Sequence, residues 1–534
     1  MSSLTLISAL SLLAVYGIRT LLRRVSSVLD NIPGPSRKSF LTGNLTQYYD
    51  PDDWAFHTEL EENYGQVVKL HGPLGDRHLF VFDPEALTSI LVKDQDLYEE
   101  MPQFMRYCVH SHCPPKPDDA LPSMNTLILG KGILSTVGDD HRRYRKIMFP
   151  AFSATNLRGI VPLFYAVAEQ ARDGLIAPNV RDGPQMIDLN SIAGRTSLEL
   201  LGAPGLAIHL MPCYPARSRP TVTHSLCGMR SCWGQKGRDS EREMYIENDA
   251  KDIMSLLIKS NMVADGGMYL TDEELIGATS TIISAATDTT SNALSRMFHT
   301  LALHPEMQAK LRAEILGAPE HLDYVALEAL PYLDAFVREV LRLFPPVTPG
   351  MFRQTCENAV LPLSKPIIGV DGVPMKAIAV PKGTCIYIAI TAANHNKQIW
   401  GADALEFKPE RWANEKTESV TTKMCGIYGN TMTFLGAGGA ASRDEWVSPS
   451  HTRRLFVWSN LFPSEAVACV MLRAFKFSNP DPRVKWRMTG IIPSPNVDNQ
   501  SCLPILVERM LVVWARYQVS VAHFDRWEKE NARE

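Results

Sequence analysis

Residues 271 to 304, TDEELIGATSTIISAATDTTSNALSRMFHTLALH, constrain the architecture of this chain more than any other stretch. Thr271 followed by three acidic residues is an N-terminal capping signature, so a helix starts there. Apolar residues occupy most of its circumference, which predicts a helix running through the middle of the protein rather than along its surface. Halfway along stands Ala285-Ala286-Thr287-Asp288-Thr289-Thr290. An acid and hydroxyls inside a buried helix each need a partner or water. A threonine that bonds back to its own helix can open a bulge beside a cavity; the plainer reading is a polar patch facing another helix.

Around this element the pattern is mostly helical from Pro84 to about Leu343. SEREMYIENDAKDIMSLLIKS, HPEMQAKLRAEIL and LPYLDAFVREVLRLFPP all carry apolar residues at helical spacing, the last ended by Pro345 and Pro346. GQVVKLHGPLGDRHLFVFDP alternates and carries turn signals, so it reads as a hairpin or small sheet, and AIAVPKG and TCIYIAI read as short strands. The fold class is mainly α with a minor β portion. A chain of 534 residues, 45% hydrophobic, fits one large unit or two ordinary ones. A net charge of -4 offers nothing to nucleic acid. Ten cysteines without a regular framework read as free thiols in a reducing compartment.

The N-terminus runs apolar through LTLISALSLLAVYGI and on to Leu21 and Leu22, then meets Arg23 and Arg24. That length is near the lower limit of about 17 residues for a spanning helix. The charges follow the apolar run, which sets it apart from a signal peptide and places the body in the cytosol. The division is therefore an anchor over 1–22, a Pro-rich hinge over 23–36 built on Pro33-Gly34-Pro35, and one domain over 37–534.

Three constellations stand out. Glu339 and Arg342 are three apart on a helix and can pair, with Arg411 of FKPERW a third member; such a buried network is a structural latch, costly unless every charge is satisfied. GDDHRRYRKIM sets His141, Arg142, Arg143, Arg145 and Lys146 on one helix, either a solvated basic face or an anion clamp. CVHSHC, residues 108–113, is too crowded for a usual zinc site.

AATDTT, the EVLR helix with its Pro-Pro end, FKPERW and TFLGAGGA follow one another in the order and spacing of the cytochrome P-450 haem-thiolate monooxygenases. The anchor and Pro-Gly-Pro hinge are similar to those of microsomal members, and the texture resembles fungal ones. This resemblance, which runs from Leu4 to about Val507, implies the cytochrome P-450 fold, haem (heme b) iron as cofactor and electrons from NADPH through a cytochrome reductase partner. It also implies a small hydrophobic substrate (terpenoid, polyketide or aromatic) and a single-pass location on the endoplasmic reticulum membrane. Residue by residue, Asp288 and Thr289 would relay protons to oxygen, and Ala285 and Ala286 would let the helix open over the haem. His141 and Arg145 would bind one propionate and Arg353 the other. Glu339, Arg342 and Arg411 would latch the fold behind the haem. The loop from Phe434 through Gly436, Gly438 and Gly439 would lie against its proximal face.

The family's chemistry needs a cysteine thiolate that pushes electron density onto iron. Counted from Phe434, that position is Ala441, and Cys425 and Cys469 flank the loop too far away to replace it. Three Pro-, Ser-, Cys- and Arg-rich runs, near 107–123, 205–237 and 441–464, match nothing in the family while the sequence between them does. They look like introns read through. The rival is genuine divergence to a protein that no longer catalyses.

Overall fold

The computed structural model describes residues 27–100, 130–136, 138–148, 150, 154–206, 253–262, 269–348, 351–412, 424–426, 430–435 and 463–510. The expected anchor, CVHSHC, most of the three foreign runs, and Gly436, Gly438 and Ala441 of the glycine loop lie outside these residues. Among the described residues, no helix is long and apolar enough to cross a membrane.

In chain order, helix α1 (Trp54–Asn63) leads to a hairpin of β1 (Val67–His71) and β2 (Arg77–Val81), paired antiparallel where the alternation predicts it. After β3 (Tyr98–Glu100) come α2 (Gly138–Met148) and α3 (Ala154–Ala171), then β4 (Gln185–Asp188), α4 (Leu189–Leu206) and α5 (Ile253–Met262). The long α6 (Asp272–Leu303) is followed by α7 (Pro305–Gly317) and α8 (Pro331–Leu343). Strands β5 (Met351–Thr355), β6 (Ala359–Ile368), β7 (Pro374–Val380) and β8 (Cys385–Ile388) precede the short α9 (Ile390–Asn394). Helix α10 over 463–474 runs into β9 (Phe475–Ser478). Strands β10 (Lys485–Thr489), β11 (Ile492–Val497), β12 (Gln500–Ser501) and β13 (Pro504–Arg509) close the described chain.

The strands form a five-stranded sheet in the order β1-β2-β8-β5-β3 and smaller sheets β10-β11-β12, β4-β13-β9 and β6-β7. Strands β3 and β4 interrupt the region expected to be helical from Pro84 to Leu343. Each pairs with a strand far away in sequence, β3 with β5 and β4 with β13, a stabilisation that local periodicity does not carry. Two large apolar cores result among the described residues, beside a smaller cluster around Tyr144, Ile147, Leu257 and Leu275. One joins α3, α4, α6, α8 and α10 through Phe164, Leu201, Phe298, Phe336 and Met471; the other lies under the five-stranded sheet around Tyr48, Phe80, Ile386 and Trp400.

Helix α6 starts as its sequence predicts: Thr271 Oγ1 accepts from the Glu274 N–H, and the Glu274 carboxylate accepts from the Thr271 N–H at 2.9 Å. It buries side chains from Leu275 to Ala302 around most of its surface, with α4 alongside. Gly277 is required by close approach, because a Cβ there would run into the Lys131 carbonyl. The same end is clamped electrostatically. Arg143 of α2 stands 2.7 Å and Lys131 3.2 Å from the Glu274 carboxylate. Burial alone would raise the Glu274 pKa, but the Thr271 N–H, Lys131 and Arg143 together hold it down at about 2. A carboxylate depressed in the folded state stabilises above its unfolded pKa, near 4.5, and that contribution is lost as pH falls toward 2. We expect Glu274→Gln to remove on the order of 3 kcal/mol at neutral pH and to flatten the loss of stability between pH 5 and 3, measured by denaturant unfolding. Parallel pH curves for the two proteins would show that the clamp contributes nothing.

Candidate functional site

Glu339 and Arg342 on α8 are both fully buried, each at 0% exposure. Arg342 grips Glu339 with two parallel bonds, Nε to Oε2 and Nη2 to Oε1, each 2.9 Å. Arg411 Nε donates to Glu339 Oε1 at 2.8 Å, the Lys408 N–H reaches the same oxygen at 3.0 Å, and Trp412 Nε1 reaches Oε2 at 2.9 Å. Arg342 spends Nη1 on the carbonyls of Asn394 and Ala404. The structure therefore brings the three sequence-predicted residues together with every charge matched, the condition under which such a network is tolerable in an interior. Burial works against the Glu339 carboxylate, yet the Arg342 bonds and charge outweigh it and hold its pKa below the usual glutamate range.

The network reaches the glycine loop through a residue that the sequence did not signal. Asn394, at the end of α9, donates from Nδ2 to the Arg342 carbonyl at 3.0 Å and to Thr433 Oγ1 at 2.8 Å. Its Oδ1 accepts from the Met432 N–H at 2.6 Å, and Thr433 Oγ1 donates to the Leu341 carbonyl at 2.7 Å. The latch thus fixes the backbone just before Phe434. Phe434 is buried and belongs to the same apolar core as Ala286, whereas Met432 belongs to the sheet core. The loop enters between the two cores. Trp412, adjacent to Arg411 in FKPERW, could have been read as a latch member; Asn394 had no local signature.

On α6, Ala285, Asp288 and Thr289 share one face, and that face is open: Ala285 and Asp288 are exposed and Thr289 half-buried. Ala286, Thr287 and Thr290 turn inward. The acid therefore does not stand in a buried helix interior as the sequence suggested. It stands on the open face of the helix, where partial desolvation pushes its carboxyl above the usual aspartate range. Thr289 Oγ1 bonds back to the Ala285 carbonyl at 2.8 Å, and Ser197 of α4 donates to the Thr287 carbonyl at 2.7 Å. The helix stays continuous from Asp272 to Leu303, without the expected bulge.

The basic run on α2 divides by face. Arg143 turns to Glu274, while His141 and Arg145, four apart on another face, make no hydrogen bond or ion pair among the described residues. Burial, then the charge of Arg145, drives His141 down to about 4, and burial lowers Arg145 as well. Two desolvated bases without a counter-charge form a place where an anion is favoured. Arg353 stands on β5, buried, with Nη1 donating to the Phe352 carbonyl at 2.9 Å.

A profile of the family described as Cytochrome P450 (cytochrome P-450 here) matches residues 235–426. Cytochrome P-450 monooxygenase 81 of Postia placenta is 36% identical across 92% of this chain and 96% of its own length. The chain belongs to the cytochrome P-450 family. Cytochrome P-450 monooxygenase 91 of the same fungus is 35% identical over 95% of this chain and 99% of its own, and the ganoderic acid synthetase of Ganoderma lucidum 33% identical over 90% and 93%.

Cytochrome P-450 proteins are haem-dependent monooxygenases that receive electrons from NADPH through a reductase partner. Two parts of this chain fit a haem. The uncompensated His141 and Arg145 suit carboxylate-bearing propionates, and the small side chain of Ala285 on the open face leaves room beside α6. The axial position does not fit. Ala441 presents only a methyl group. Burial pushes the Cys425 thiol up to about 11 and the Cys469 thiol up to about 12, so neither cysteine beside the loop is a ready thiolate. The five described cysteines are all free.

Proposed function

We propose that this chain carries the architecture of a membrane-anchored monooxygenase that inserts one oxygen atom into a small hydrophobic terpenoid, polyketide or aromatic substrate. The reading rests on the open face of α6 at Ala285, Asp288 and Thr289, with Phe434 packed in the same core as Ala286. The relative named for ganoderic acid synthesis supports a place in secondary metabolism. In this reading His141 and Arg145 would hold one propionate and Arg353 the other, with Phe434, Gly436 and Gly438 belonging to the loop that would hold the haem. When bound through a thiolate, the haem supplies oxygen activation. Asp288 would take up and release a proton at its carboxylate oxygen, and Thr289 Oγ1 would pass it on at the open face of α6. The domain is residues 37–534. With labelled dioxygen, NADPH and a reductase, a loop-repaired chain should place one labelled atom in a product from a panel of these substrates. Electron flow with no labelled product from any class would overturn the assignment.

Ala441 favours a second reading, a relative that has lost catalysis, for which the literal sequence binds no haem through sulfur.

The proposed location is the endoplasmic reticulum membrane, with residues 1–22 as a single-pass anchor, 23–36 as hinge and the body in the cytosol. A truncation that tests this should stop at residue 26. Asp30 must stay, because its carboxylate receives two bonds from Arg77, each 2.9 Å. Removing 1–26 should move the protein from the membrane pellet to a salt-extractable or soluble fraction; continued need for detergent would exclude a single N-terminal anchor.

A further inference from the structure

A cleft of about 1160 Å³ opens between α1, the turn after α8, α9 and the β10–β11 hairpin. Ala285, Asp288 and Thr289 are not among the residues that line it. Arg296 lies seven residues further along α6 on the same face, about 10 Å away at 1.5 Å per residue. Between them Asn292 donates to the Pro493 carbonyl of β11 and seals the helix against the hairpin.

Four cations and four carboxylates line this cleft, and most of them have partners. Arg487 pairs with Asp52 at 2.7 Å, Arg483 with Asp481 and Asp498, Glu61 with His395 at 3.4 Å and Glu62 with Lys397 at 3.2 Å. Two cations remain. Arg296 has no carboxylate and no acceptor for its guanidinium among the described residues, and neither has Lys485, exposed at the rim. The Arg296 guanidinium lies 3.3 Å from the Trp486 ring centroid and 4.6 Å from that of Phe344. Those rings stabilise the charge but accept no N–H in-plane bond. Burial pushes its pKa well below the usual arginine range, the mark of a desolvated cation without a counter-ion. The wall is held rigid: Trp486 Nε1 donates to His299 Nδ1 at 3.1 Å, and Trp54 Nε1 donates to the Trp486 carbonyl at 2.7 Å.

We propose that this cleft is a ligand site for an organic carboxylate with an apolar body. The forked donors of Arg296 take the carboxylate, Trp54, Phe344 and Trp486 pack the body, and Lys485 adds charge at the entrance. None of the residues that line this cleft is assigned to the haem, so the site can be tested on the full chain as it stands by tryptophan fluorescence. Decanoate should quench saturably, and Arg296→Gln should weaken its binding at least tenfold. Lys485→Gln, at an exposed position, should weaken it several-fold, and decides the matter if Arg296→Gln fails to fold. Decanol should bind no better to the natural chain than decanoate does to the Arg296 variant. Equal affinity of decanol and decanoate, or unchanged decanoate binding in both variants, would overturn the proposal. So would inorganic phosphate binding as tightly as decanoate, which would mark a bare anion site.

Discussion

Glu339→Ala should leave a chain that either does not fold or is weakened by about 3–5 kcal/mol, the cost of stripping the partner from buried charges. The carboxylate accepts from Arg342 twice, from Arg411, from Trp412 and from the Lys408 N–H. Alanine leaves Arg342, at 0% exposure, without its counter-charge in an interior where it cannot reach water. Arg411→Ala should cost less, because the Arg411 side chain is 10% exposed and reaches the edge of the network. The loss is also transmitted: Asn394 joins Arg342 to Met432 and Thr433, so the entry to the glycine loop loosens with the latch. Denaturant unfolding followed by circular dichroism measures the first effect. A Glu339→Ala protein within 1 kcal/mol of the natural chain would show that the network is an ornament of the fold.

What the sequence made legible was mostly local or motif-borne. Thr271 announced the start of α6, Pro345 the end of α8, and alternation the β1–β2 hairpin. The latch was legible because its members carry recognisable words, EVLR and FKPERW. Asn394 was not, since its value lies in joining Arg342 to Thr433 across a distance that no sequence spacing encodes. The basic face of α2 was read as a unit, but residues two apart on a helix point to nearly opposite sides. Arg143 therefore spends its charge on Glu274 while His141 and Arg145 remain without a counter-ion. Asp288 was placed in a buried interior because the helix is apolar around most of its circumference. Only the packing of α4 and α6 reveals which narrow face stays open.

Replacing Ala441 to Ser464 by a short segment that begins with Cys should give a haem protein whose reduced carbon-monoxide difference spectrum has its Soret band at the thiolate position. The literal chain should give no such band. The reasons lie on both sides of the loop. Upstream, Thr433 and Phe434 are already fixed by Asn394 and by the core shared with Ala286. Downstream, α10 packs Ala466, Val470 and Leu472 into that same core. The intervening run exceeds the family spacing by about 15 residues, an implausible length between a metal ligand and the helix that follows it. Ala441→Cys alone should therefore fail, since it adds sulfur without shortening the connection that would bring it under the haem. Cys469→Ser serves as the control: its thiol is protonated and buried, so losing it should leave the repaired spectrum unchanged. A thiolate band from Ala441→Cys by itself would mean that the long connection is harmless. A folded, haem-supplied repaired chain without the band would mean that the loop of Phe434 is a glycine turn on a non-catalytic member of the family.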